Sequence, residues 1–142
     1  MPYLIRLTIR AAMLYLIAGM IAGALYWLNI LQPIWPPLAA LNPIYIHLIV
    51  VGWLTQLIYG VIYWMFPIIS RENMRGDERL AWAALITLNA GLILRAIFEP
   101  WRALSPNDLN SSGLLLSSVL QVIAAYLVVV VCWPRVREKP GR

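Results

Sequence analysis

Four long apolar stretches, separated by short polar segments, constrain the fold of this chain more than any other feature. They cover about residues 9–31, 43–69, 80–98 and 112–133. Each is close to the roughly 20 residues that an α-helix, rising about 1.5 Å per residue, needs to cross the hydrocarbon of a bilayer. Charged residues make up only 12% of the chain, too few to cover a soluble globule. We therefore expect one domain, residues 1–142, that folds as an all-α membrane protein with a bundle of four transmembrane helices.

Prolines mark the expected ends of these helices. Pro43 is tolerated at the start of the second helix, because a first-turn residue needs no N–H donor. Pro100 and Pro134 are expected to close the third and fourth helices. The first stretch is not expected to be a cleaved signal peptide, because its apolar run exceeds the roughly 7–15 residues of such a segment.

The distribution of basic residues predicts the orientation of the bundle. Nine of the eleven basic residues lie near the N-terminus, between helices two and three, or after helix four. Loops rich in lysine and arginine face the cytoplasm, so both termini are expected there, with the bundle in the inner (cell) membrane. We interpret the +5 net charge as this topology signal, and we expect no nucleic-acid partner.

The chain contains one histidine, His47, roughly one turn inside the second helix at its outer end. Ionisable side chains are costly inside a membrane and usually have a function there. Arg95 is expected at a comparable depth on the third helix, with Glu99 as its partner four residues on. From the residues alone, His47 either binds a ligand or only hydrogen-bonds a carbonyl or contacts headgroups.

Small residues offer places where another group can approach a helix closely. Gly19 lies four residues before Gly23, so both are on one face of the first helix. Small residues at this spacing let either a neighbouring helix or a flat ligand approach the helix closely. Gly52 lies five residues after His47, which corresponds to about 140° around an α-helix at ~100° per residue.

The second helix resembles a known helix. The stretch HLIVVGWLTQLIYGVIYWMFP, residues 47–67, is similar to the second transmembrane helix of the heme-copper oxidase subunit I superfamily and its short relatives. There a histidine near the outer end, followed by two glycines and an aromatic-rich ending before proline, is an axial ligand of the low-spin heme. The first and third helices match more weakly. The resemblance implies that His47 binds the iron of a b-type heme, with Arg95 and Arg102 as partners of its propionates and with Gly19, Gly23 and Gly52 as sites of close approach.

The departures from that family narrow the expected function. The full subunit has many more helices, and later histidines hold its copper and its high-spin heme; this chain has none of them. We therefore expect an electron-transfer protein or subunit rather than an oxygen or nitric oxide reductase. The second axial ligand must come from another chain, and the simplest source is His47 of a second copy in a homodimer.

Two other functions remain open at the level of sequence. The chain could be a cofactor-free accessory subunit of a respiratory or photosynthetic membrane complex. It could also hold a quinone through His47, Gln56 or Tyr45. No sequence feature separates quinone binding from ordinary contact with lipid.

Overall fold

The structure, a computed structural model, describes residues 2–67 and 77–136. The regular structure in these residues is helical, and four helices are long and apolar enough to cross a membrane, as predicted. In chain order they are α1 (Tyr3–Leu31); a second span (Pro36–Met65) that contains α2 (Leu41–His47) and α3 (Gln56–Met65); α4 (Glu78–Leu104); and a fourth span (Asp108–Arg135) formed by α5 (Asp108–Cys132) and a 3-10 turn (Trp133–Arg135).

Several helix ends differ from the predicted bounds. The second span begins at Pro36 rather than at Pro43 and ends at Met65, and residues 68 and 69 of its predicted range lie outside the described residues. α1 begins six residues before residue 9, and α5 begins four residues before residue 112. The Asn107 side chain caps α5 by accepting a hydrogen bond of 2.8 Å from the Asn110 backbone N–H, which explains the earlier start. α4 continues past Pro100 to Leu104, because a proline near a helix end removes only one hydrogen bond.

The helices pack as two antiparallel hairpins. α1 lies against the second span, and α4 lies against α5. One hydrophobic cluster joins the hairpins at one end of the bundle and includes Leu4, Tyr63, Ala81 and Val131. We call this end, which holds the start of α1, the Arg135 end, and the opposite end the His47 end. Many large apolar side chains point outward, as expected for helices surrounded by lipid.

Polar side chains inside the bundle bond between helices. Gln56 Nε2 donates to the Thr8 carbonyl of α1 at 3.2 Å. The Tyr15 hydroxyl donates to Asn89 Oδ1 of α4 at 2.8 Å, which ties the two hairpins together. Ser117 Oγ of α5 donates to the Gly91 carbonyl of α4 at 2.8 Å. These bonds satisfy groups that would be costly to leave unpaired in an apolar interior.

Arg135 hydrogen-bonds to the C-terminal end of the second span, at the Arg135 end of the bundle. Its side chain is 1% exposed, and its guanidinium donates to the carbonyls of Tyr63 at 2.9 Å, Phe66 at 2.7 Å and Pro67 at 3.1 Å. The last carbonyls of a helix have no partners within it, and Arg135 supplies them. From the sequence, Arg135 is expected only as one of the basic residues that indicate the orientation of the bundle.

Candidate functional site

The second span changes its hydrogen-bonding pattern immediately after His47. Residues Leu48–Thr55 form a π-helical segment, and the Thr55 hydroxyl donates to the Val50 carbonyl, five residues back, at 2.8 Å. Such segments are rare and frequently lie at functional sites. A π-helical turn contains more residues than an α-helical turn. The predicted angle of about 140° between His47 and Gly52 assumed ~100° per residue, so it does not apply here.

The imidazole of His47 is fixed by its own helix. Its Nδ1 lies 2.8 Å from the carbonyl oxygen of Pro43, one turn earlier. A carbonyl oxygen can only accept a hydrogen bond, so Nδ1 carries the proton and the lone pair of the neutral ring is on Nε2. None of the described residues hydrogen-bonds Nε2, and the side chain is 30% exposed. His47 thus presents an available nitrogen ligand at the bundle surface.

Glu99 of α4 brings a carboxylate beside this histidine. Its Oε2 lies 3.9 Å from His47 Nδ1, too far for a hydrogen bond, and its Oε1 accepts one from Arg95 Nη1 at 3.3 Å. The predicted Arg95–Glu99 pair is therefore present, and both residues lie at the level of His47. Oε2 is buried and has no hydrogen-bond donor among the described residues.

Arg95 extends this polar cluster to the fourth span. Its Nη2 donates to Ser118 Oγ of α5 at 2.8 Å, and its Nε is buried without a hydrogen-bond partner in the described chain. Arg102 is exposed and lines a cavity of about 400 Å³ together with Arg95, Glu99 and Ser118. The structure thus places both predicted arginines on one polar cavity. From the sequence, Ser118 is expected only as one of the polar side chains that bond between helices, and its contact with Arg95, 23 residues away in the chain, has no local sequence signal.

The three predicted glycines lie where neighbouring helices touch. A Cβ on Gly52 would be 2.7 Å from Cγ of Tyr15, and one on Gly19 would be 2.7 Å from Cγ1 of Ile49. A Cβ on Gly23 would be 3.3 Å from the Tyr45 ring. Side chains of the facing helix therefore occupy the space that each glycine leaves open.

The ligands that the described residues offer near His47 are too few to hold a metal ion by protein side chains alone. The described residues contain no group of three or more His, Cys, Asp or Glu side chains that could hold a metal ion. His47 is the single histidine of the sequence, so one chain supplies one imidazole. A heme, whose four equatorial ligands come from its own ring, needs only one or two such groups from the protein.

The residues considered for a quinone do not converge on one pocket. Gln56 is fully buried and bonds to Thr8. The Tyr45 ring packs against Gly23 and stacks on Tyr26 with centroids 5.7 Å apart. His47 instead faces Glu99.

Comparison of the chain with protein-family models, with curated proteins and with solved structures gives no match. The functional argument therefore depends on the geometry around His47.

Proposed function

We propose that this protein is a membrane-embedded electron-transfer protein that binds a b-type heme through Nε2 of His47. The observation that carries the proposal is Nε2 of His47, which has no hydrogen-bond partner among the described residues and belongs to a side chain that is 30% exposed; the bond of Nδ1 to the Pro43 carbonyl orients this ring but is also what a histidine without a ligand would make. Histidines that bind metals almost always donate the other ring N–H to a carbonyl, a carboxylate or water, because this bond fixes the tautomer and orients the ring. His47 has this arrangement.

A second protein ligand for the heme would come from His47 of a second copy of the chain. The 30% exposure of the side chain leaves the ring reachable from outside the protomer, as a shared ligand requires. The three methionines within the described spans, Met13, Met20 and Met65, are all exposed on other turns of the helices. A two-fold axis beside His47 would bring two identical imidazoles to one iron.

Glu99 and Arg95 hold the surroundings of His47 in this proposal. Glu99 places a carboxylate near Nδ1, and Arg95 pairs with that carboxylate so that its charge is not left alone in an apolar setting. Both terminal nitrogens of Arg95 already have protein partners. We therefore assign Arg95 to holding Glu99, rather than to pairing with a propionate. A bound heme would supply one-electron transfer, and the protein supplies ligation and a low dielectric.

In the proposed orientation, the protein lies in the inner membrane of the cell. His47 is near the outer surface of this membrane, and both termini are in the cytoplasm. Among the described basic residues, Arg6, Arg10, Arg79 and Arg135 lie toward the Arg135 end, and Arg95 and Arg102 toward the other. This asymmetry supports a cytoplasmic Arg135 end through the positive-inside rule. Five further basic residues of the sequence lie outside the described residues.

The absorption spectrum of the purified protein tests this function. Protein from heme-replete cells should show the sharp reduced bands of a low-spin b-type heme, and the His47→Ala variant should lose them. A wild-type preparation that stays colourless, even after incubation with heme, would instead support the cofactor-free accessory subunit of a respiratory or photosynthetic complex.

A further inference from the structure

An apolar groove separates the second span from the fourth span on the surface of α4. Its volume is about 520 Å³. Leu88 of α4, Val51 and Thr55 of the second span, and Ala124 and Ala125 of α5 contribute to its walls, and the small alanines make the space. Arg95 and Ser118 lie at the end of the groove nearer His47.

The groove has the length of a lipid chain in one leaflet. Its α5 wall runs from Ser118 to Val128, ten residues that rise about 15 Å along a helix. This is half of the roughly 30 Å hydrocarbon thickness of a bilayer, and each leaflet contributes one half. A chain that entered at the His47 end would therefore end near the middle of the membrane.

The groove lies next to the polar cavity at the His47 end. Arg95 and Ser118 line both spaces, and Arg102 and Ser111 lie beyond them, close to the helix ends. The cavity holds two arginines and one carboxylate, Glu99, which leaves one positive charge.

From this arrangement we infer a binding site for one anionic phospholipid, with an acyl chain in the groove and the phosphate at Arg102, the exposed arginine of the cavity. Charge complementarity selects this occupant, because a phosphate group with one net negative charge balances the cavity and arginine matches its oxygens. The helix ends also lie at the depth where headgroups reside. The site does not use His47, so it is independent of heme binding.

Native mass spectrometry on the full-length protein tests the site. The detergent-solubilised protein would be loaded with equal amounts of phosphatidylglycerol and phosphatidylcholine of matched chains, and the retained lipid counted. Wild type should retain one phosphatidylglycerol per chain, with roughly a fivefold preference, since one arginine near the headgroups favours an anionic lipid by about this factor. Equal retention of the two lipids by wild type would overturn the inference.

Substitutions distinguish protein contacts with the lipid headgroup from contacts with its acyl chain. Arg102→Gln, an exposed position, should remove most of the preference and leave the helix content unchanged. Ala125→Trp should fill the groove and lower retention of both lipids, whereas the control Ile123→Trp, an exposed position about 200° from Ala125 around α5, should not. Retention of phosphatidylglycerol by Ala125→Trp at the wild-type level would overturn the site. So would a change in oligomeric state alone, which would make the groove a contact between copies.

Two further experiments test whether the site binds a whole lipid or only a phosphate, and whether lipid binding depends on heme binding. Inorganic phosphate at millimolar concentration should not displace the lipid, because it has no chain to bury; displacement would reduce the site to a phosphate cavity and overturn the lipid assignment. His47→Ala should keep the lipid preference even without heme. Loss of both together would contradict the independence of the two sites.

Discussion

Nδ1 of His47 lies 2.8 Å from the carbonyl oxygen of Pro43, one turn earlier in the same membrane span. Because the carbonyl only accepts, this bond fixes the proton on Nδ1 and leaves Nε2 with its lone pair. The bond needs no partner from another helix. The ligand geometry is therefore prepared by local sequence, at the point where the π-helical segment begins.

The single histidine makes this tautomer directly measurable. In heme-free protein labelled with 15N-histidine, we expect one pair of ring resonances, with a protonated Nδ1 and an unprotonated Nε2 at a pH where the ring is neutral. Free histidine in the same buffer is the control. A spectrum with the proton on Nε2 would contradict the fixed ligand geometry.

The sequence was sufficient to predict the four spans and their antiparallel order, because apolar length decides both. The prolines were a weaker guide, since α4 continues past Pro100 to Leu104. It also predicted the Arg95–Glu99 pair, which depends only on a spacing of four residues along a helix. It could not predict that Ser118 accepts a hydrogen bond from Arg95, or that Arg135 donates hydrogen bonds to the last carbonyls of the second span. Those contacts join residues far apart in the chain, and no local pattern reports them.

Gly52 should prove to be a packing position. Gly52→Ala would place a methyl group 2.7 Å from Tyr15 Cγ, so we expect a loss of stability of about 1–3 kcal/mol from overpacking. Gly60→Ala, whose added carbon would be 3.2 Å from Thr8 Cγ2, is the matched control and should cost less. Denaturant unfolding in detergent, followed by circular dichroism, measures both. Loss of heme from Gly52→Ala at unchanged stability would instead show that the glycine makes room for the ligand.

Arg135 should contribute strongly to stability. Arg135→Ala would remove three charge-assisted hydrogen bonds to carbonyls of the second span. Each such bond contributes at most about 1.5–3 kcal/mol, so we expect the free energy of unfolding to fall by several kcal/mol. Arg6→Ala, an exposed arginine near the same end, should change stability by less than about 0.5 kcal/mol. Thermal unfolding of the two variants provides the comparison, and equal unfolding temperatures would contradict the capping role.

Cysteine labelling tests the proposed orientation. With Cys132 replaced by serine, single cysteines at Gln32 and Pro106, both exposed at the His47 end, should react with an impermeant thiol reagent added outside intact cells. A cysteine at Asn73, between the second and third helices, should react only after the cells are opened. Labelling at position 73 from outside would reverse the orientation and place His47 near the cytoplasm.

The heme content per chain, measured for wild type and His47→Ala, tests the central claim most directly. Heme titrated into heme-free wild type should saturate at one heme per two chains. His47→Ala should bind none and keep its helix content, because each helix satisfies its own backbone in lipid. Arg95→Gln should bind heme less tightly or shift its potential without abolishing binding. A ratio of one heme per chain would contradict the shared ligand, and full heme retention by His47→Ala would contradict the proposed function itself.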